Sequence, residues 1–165
     1  MQTFLPFTTF RASADVLDNK RLGKQRVEAY QIMRALTGES TGWVNHPATK
    51  MWRGYENYLA KYGAVICLEW IYRGYKDTLF PKFLDYHDQF PEIRPHWYAD
   101  EALHLSHQSN LYRKDPIFYA RFAHVGADLP YVWPTGRLEP VDIKPLTPTL
   151  DTGYQPAIRA DLGSN

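Results

Sequence analysis

The sequence predicts an all-α fold, one domain of three main helices joined by short helices and followed by an extended, proline-rich C-terminal segment. Three observations predict it. Apolar residues recur at helical spacing in three stretches, 16–36, 47–72 and 100–114. Glycines stop the first two, at Thr37-Gly38 and Arg73-Gly74. Six of the twelve prolines crowd into the last forty residues, a density that no regular helix tolerates. At 165 residues the chain can bury one sizeable core, and with five Trp and twelve Tyr much of that core is aromatic.

Each element has its own signal. Residues 2–10 read as an extended segment held down by its aromatics. Ser13 is the expected N-cap of a first turn that breaks near Asn19 before the main helix begins. That helix carries Val16, Leu22, Ala29, Tyr30, Met33 and Leu36 on one stripe. At about 100° per residue, Arg26 falls near the middle of the stripe, with Asn19 beside it and Asp18 and Gln25 at its edge. Burying a guanidinium without partners is unfavourable, so these polar groups predict a network or a site. Residues 38–46 form a loop. Pro47 then opens a second helix, striped by Met51, Tyr55, Tyr58, Leu59, Tyr62, Ile66 and Trp70. Residues 77–100, broken by Pro81, Pro91 and Pro95, read as ordered loop with short helical pieces. A third helix bears Leu103, Leu105 and Leu111, and Asp115-Pro116 starts a short one ending at Phe122. The Leu129-Pro130-Tyr131-Val132-Trp133-Pro134 segment is an extended aromatic strap. The domain is expected to span 1–135, with 136–165 a loosely packed or disordered tail.

The net charge of +1 conceals an asymmetry. Residues 1–75 hold ten Lys/Arg and six Asp/Glu, whereas 76–165 hold nine and twelve. Five of those ten cations, Arg11, Lys20, Arg21, Lys24 and Arg26, lie within sixteen residues. Such a patch suits phosphate or nucleic acid, although a solvated helix face would look the same. No apolar run approaches the roughly 18 residues of a membrane span. The N-terminus lacks a signal-peptide pattern, and the single cysteine, Cys67, reads as a small core residue. These features lead to the expectation of a cytoplasmic monomer.

Phosphate-binding glycine loops, nucleophile elbows and Cys-x-x-Cys pairs are absent, which leaves carboxylate-and-arginine chemistry as the main candidate. Glu28 follows Arg21 by seven residues, on nearly one helix face. Its carboxylate could stabilise an oxocarbenium ion at a sugar C1′ or position a water, or form only a surface ion pair. Asn45-His46-Pro47 starts the second helix. Either Asn45 or His46 caps it, or the helix start helps hold a phosphate. His104 and His107, with Asn110, Arg113 and Lys114 behind them, form a polar face that contacts DNA, caps a cleft or is simple surface. No third ligand at a convincing spacing completes a metal site, so no metal is expected.

These residues together resemble the pyrimidine-dimer DNA glycosylase family, the phage endonuclease V-like enzymes, over roughly residues 10–122. Aligned without gaps from Leu17, the family's catalytic glutamate falls on Glu28, a histidine-or-polar position on Arg21, and an acidic-or-Gln position on Gln25. The run from Pro47 through Tyr55, Leu59, Ile66 and Glu69 to Arg73-Gly74-Tyr75 resembles the family's second helix. The segment from Leu105 to Leu111, with Arg113, Lys114 and Pro116, resembles the region that supplies its basic DNA contacts. Asn45-His46-Pro47 and Tyr131-Val132-Trp133-Pro134 resemble a bacterial and phage subgroup.

The resemblance implies a compact all-α enzyme that grips double-stranded DNA and flips a nucleotide. In the family an N-terminal amine attacks the sugar C1′, forms an imine and cuts the strand by β-elimination, with the glutamate assisting. Carried over, this makes Glu28, Arg21, Arg26 and Met1 the catalytic candidates. Lys20, Lys24, Gln25, Asn45, His46, His107, Asn110, Arg113 and Lys114 become the nucleic-acid contacts. No cofactor is needed, because the chemistry uses protein groups and water. Three departures stand out. Gln2 is too large for ordinary methionine removal, so the amine is that of Met1, or Lys20 or Lys24 replaces it, or no lyase step occurs. Val27 replaces an arginine beside the glutamate, and the net charge is modest. The expectation is therefore a DNA glycosylase for damaged or modified pyrimidines, with or without AP-lyase activity. The alternatives are a non-catalytic nucleic-acid-binding module and an N-glycoside hydrolase acting on free nucleosides or nucleotides.

Overall fold

The computed structural model describes residues 1–134, and the expected tail at 136–165 lies outside the described residues. Six α-helices follow one another: α1 (Phe10–Asp15), α2 (Asn19–Leu36), α3 (Pro47–Trp52), α4 (Glu56–Tyr72), α5 (Phe80–Gln89) and α6 (Glu101–Lys114). A 3-10 helix, Ala120–Val125, follows, and no strand occurs among the described residues. The three longest helices, α2, α4 and α6, are the three main helices the periodicity predicts.

The first break falls where expected. Asp18 caps α2, its carboxylate accepting the Arg21 N–H at 2.9 Å. The cap of α1 is Thr9, not Ser13. Ser13 is instead buried, its hydroxyl donating to Phe7 O at 3.0 Å and accepting from Phe7 N at 3.2 Å. Arg73 holds the α1–α2 bend closed. Its guanidinium donates to the carbonyls of Ala14, Asp15 and Leu17 and to Asn19 Oδ1, supplying partners for carbonyls that a helix end leaves open.

The second predicted helix is in fact two. It stops at Trp52 and restarts at Glu56, with Gly54 at φ 84°, a conformation that side chains disfavour. The periodicity misses this because Met51, Trp52, Tyr55 and Leu59 stay buried on both sides of the break. Between 77 and 100 the structure has a ten-residue helix, α5, started by Asp77, whose carboxylate accepts from Leu79 N and Phe80 N. It packs so closely on α4 that a Cβ at Gly63 would lie 2.3 Å from the Phe83 ring. The short helix expected from Asp115 is a turn followed by the 3-10 helix.

The core between α1, α2 and α4 is aromatic. Phe10 makes edge contacts with Tyr58, Tyr62 and Tyr98, and Trp52 packs on Trp97 at 4.8 Å. Cys67 is buried in this core, and burial, with Asp77 nearby, pushes its thiol up to about 12. It therefore stays a neutral thiol, as a small core residue would. No helix among the described residues is long and apolar enough to cross a membrane.

Candidate active site

The first five residues are extended and four of them are buried, although they belong to no helix or sheet. Their backbone groups therefore need side-chain partners. Gln2 N donates to Glu28 Oε2 at 3.3 Å, Thr3 N to the Gln2 side chain at 2.8 Å, and Phe4 N to Gln25 Oε1 at 2.8 Å. Leu5 N donates to His107 Nδ1 at 2.8 Å, and Leu5 O pairs with His104 Nδ1 at 2.8 Å. Tyr62 Oη has Gln25 Oε1 at 2.8 Å and Phe4 O at 3.1 Å as acceptors for its one proton, and Gln108 donates to Pro6 O. Nearly every step of the segment is thus fixed by a buried side chain from α2, α4 or α6.

This anchoring carries the Met1 amine to a pocket of about 350 Å³, where it lies 3.8 Å from Glu28 Oε1. Lys20, Arg21, Lys24, Gln25 and Lys114 line the same pocket, with Gln2, Phe4 and Tyr131. The two oxygens of Glu28 have different duties. Oε2 accepts from Gln2 N and from Gln25 Nε2 at 3.0 Å, and so is held by the scaffold. Oε1 faces the cations, with Lys24 Nζ at 3.5 Å and the amine beyond it. One carboxylate oxygen is anchored and the other is available to chemistry.

The pocket is electropositive. Lys114 is held below the usual lysine range by burial and then by repulsion from Arg21, Arg113 and Lys24, with Glu28 opposing. Arg21 is oriented by Asp18 at 2.6 Å and lies over the Tyr119 ring at 5.4 Å. Burial raises the Asp18 carboxyl, but hydrogen bonds from Tyr119 and Arg21 outweigh it and hold the group below its ordinary value. His46 stands near enough to feel both charges of the centre. Burial and the amine lower it, and Glu28 opposes them.

Seven of the residues singled out in the sequence meet here: Met1, Lys20, Arg21, Lys24, Gln25, Glu28 and Lys114. Others do not. Arg26 points away, its Nε donating to the buried Asp77 at 2.7 Å and its guanidinium lying over Trp70 at 4.9 Å. Its place in the apolar stripe is explained by that partner, and it does not line the pocket. His107 and Asn110 are fully buried rather than on a DNA-facing surface. His107 accepts from Leu5 N, and Asn110 donates to Ser106 O at 2.7 Å and Leu129 O at 3.2 Å. Burial pushes the His107 ring down to about 3, with His104 adding to the effect, so it is neutral. Arg113 is exposed and donates to Asn110 Oδ1. His46 is the cap of α3, accepting from Ala48 N at 3.1 Å, and Asn45 is exposed beside it. No group of three or more His, Cys, Asp or Glu able to hold a metal occurs among the described residues.

Sequence reasoning missed Gln2, Phe4 and Tyr131 as pocket walls. A signal existed for Gln2: it is a large residue next to the amine under consideration, and its side chain takes up the Thr3 N–H.

The segment that holds the amine, the cations and the glutamate also has a recognisable pattern. Residues 1–81 match the pyrimidine dimer DNA glycosylase family. No curated protein and no solved structure matches the chain. The match agrees, over residues 1–81, with the resemblance read from the sequence. It covers α1 to α4 and the start of α5, so the whole Glu28 side of the pocket lies within it. Lys114 and Tyr131 come from beyond it.

Proposed function

We propose that this protein is a DNA N-glycosylase that releases damaged or modified pyrimidines and then cuts the strand through an AP-lyase step carried by the Met1 amine. The observation that supports this most is the pairing of that amine with Glu28 Oε1 at 3.8 Å in a basic pocket. A structural salt bridge would bring the two groups into contact and close around them. This pair stands 3.8 Å apart at the pocket wall, and the carboxylate is preoriented through its other oxygen.

The chemistry follows from the groups present. The amine nitrogen forms a bond to the sugar C1′ as the N-glycosidic bond breaks and the base leaves. Glu28 Oε1 takes the proton that the nitrogen sheds, and ring opening gives an imine. Removal of a C2′ proton then expels the 3′ phosphate by β-elimination. Lys20, Arg21, Lys24 and Lys114 neutralise the phosphates flanking the extruded nucleotide. Tyr131 and Phe4 give the pocket its apolar wall.

The test is release of the dimer's base from its sugar in a duplex carrying one pyrimidine dimer, read as an alkali-labile strand break because the freed base stays joined to its dimer partner, comparing the wild type with Glu28→Gln. The expected result is release by the wild type, loss of release in the variant, and unchanged DNA binding. Equal release by the variant would refute the role of Glu28. Salt-sensitive binding without release by either protein would favour a binding module. Cleavage of free nucleotides with little salt dependence would favour a nucleoside-type hydrolase.

A further inference from the structure

The turn after α6 exposes two large apolar residues side by side. Ile117 is 90% exposed and Phe118 54%. Exposed apolar side chains in pairs are unfavourable unless something covers them. This pair is not on a slack loop. Asp115 caps the turn, its Oδ1 accepting from Phe118 N at 2.9 Å and its carbonyl from Tyr119 N at 2.9 Å. Phe118 packs edge-on against Tyr119 at 4.9 Å, and the fully buried Tyr119 stacks on Phe122.

The turn is also tied to the pocket. Tyr119 Oη donates to Asp18 Oδ2 at 2.5 Å and accepts from Asp18 N at 3.0 Å. Asp18 orients Arg21, which lines the pocket and lies over the Tyr119 ring at 5.4 Å. Lys114, three residues before Ile117, lines the pocket as well. The tip is therefore held in register with the pocket mouth. Its surroundings are cationic, with Arg113, Lys114 and Arg121 all exposed. Asp115, the one acid from 113 to 121, is occupied by the turn. An apolar point set among cations is complementary to a stacked, polyanionic duplex.

We propose that Ile117 and Phe118 form a wedge that enters the duplex at the base step beside the pocket and keeps that step open while a nucleotide occupies the pocket. This rests on the reading that the pocket accepts a nucleotide from duplex DNA. Turning a nucleotide out leaves unstacked neighbours that tend to close again, and an apolar side chain in the gap replaces the lost stacking. The cations on either side hold the flanking phosphates, and the Tyr119–Asp18–Arg21 connection fixes the distance between wedge and pocket.

The test uses a synthetic duplex with a tetrahydrofuran abasic analogue and 2-aminopurine next to it, whose fluorescence rises when it unstacks. The proteins are the wild type, the double variant Ile117→Ala/Phe118→Ala, and Ile117→Asp, which leaves the Phe118–Tyr119 packing in place. Both positions are exposed, and thermal unfolding by circular dichroism checks that the fold is retained. The expected result is a several-fold fluorescence rise with the wild type, cut at least fivefold in both variants. In parallel, the ratio of glycosidic-bond cleavage rates on duplex and single-stranded dimer substrate, read as alkali-labile breaks, falls at least tenfold. Wild-type fluorescence and rate ratio in both variants would overturn the wedge while leaving the glycosylase reading intact. A fluorescence rise without any base release would overturn the glycosylase reading and leave the wedge standing. A change confined to sedimentation mass would mean that the tip joins copies of this chain, which also overturns the proposal.

Discussion

Arg26 and Glu28 stand two residues apart on α2, and both carry charge out of bulk water, yet they are built in opposite ways. Arg26 meets Asp77 at 2.7 Å, with Asp77 fully buried and a Trp70 face closing the guanidinium from above. The space is so tight that a Cβ at Gly23 would lie 2.9 Å from the Trp70 ring. Asp77 spends its second oxygen on Leu79 N and Phe80 N. Both oxygens of Asp77 are thus taken, and Arg26 does not line the pocket. Glu28 has one oxygen held by Gln2 and Gln25, while the other looks across 3.5 and 3.8 Å at two cations in an open pocket. A completed ion pair stabilises the fold, and an incomplete one on a rigid support is poised for chemistry.

Substitutions that separate the two sites sharpen this contrast. The largest expected effect is on activity. Glu28→Gln should lower base release by roughly 10²–10⁴-fold, the usual contribution of a positioned acid–base group, and leave DNA affinity unchanged. A loss of affinity equal to the loss of rate would merge the two roles and break the comparison.

Arg26→Ala should act on stability instead. It leaves the Asp77 carboxylate buried and unpaired, at about 3–5 kcal/mol, which urea unfolding would register. Base release per folded molecule should stay as in the wild type. A variant that is as stable as the wild type but inactive would return Arg26 to the active site.

The histidine anchor of the N-terminal segment gives a pH signature. Folding holds the His107 ring at about 3 instead of 6.5. Between those values the unfolded chain binds a proton that the folded chain refuses, so stability falls as the pH drops through that window. The slope from this group is at most about 1.4 kcal/mol per pH unit. His107→Gln, whose amide oxygen can still accept from Leu5 N, should flatten that part of the slope in urea midpoints measured across the window. An unchanged slope would mean that another group carries it.

The smallest effect belongs to the pocket rim. Lys20→Ala and Lys114→Ala should each weaken duplex binding several-fold and lower the salt dependence by about one phosphate contact. Equal salt slopes in wild type and variants would mean that neither lysine touches the backbone.

Much of this was legible in the sequence. The stripes gave α2, α4 and α6, and the cluster of cations before Glu28 marked the pocket, because residues three, four and seven apart share a helix face. Arg26 also stood out, but its partner did not. Asp77 lies 51 residues away, and only the packing of the α4–α5 connection onto α2 makes them neighbours. His107 and Asn110 were misread for a related reason. A polar row on a helix looks like surface until an irregular segment such as residues 1–5 is laid over it and needs hydrogen bonds. The break at Gly54 left no trace in the apolar pattern, because the core continues through it.

The central claim is that the Met1 amine and Glu28 together form the reaction centre. Borohydride reduction of the protein with an abasic duplex, followed by peptide mapping, tests it most directly. The account predicts a covalent adduct on the N-terminal peptide, located at Met1 and absent when the amine is blocked beforehand. An adduct on Lys20 or Lys24, or no adduct at all, would contradict it.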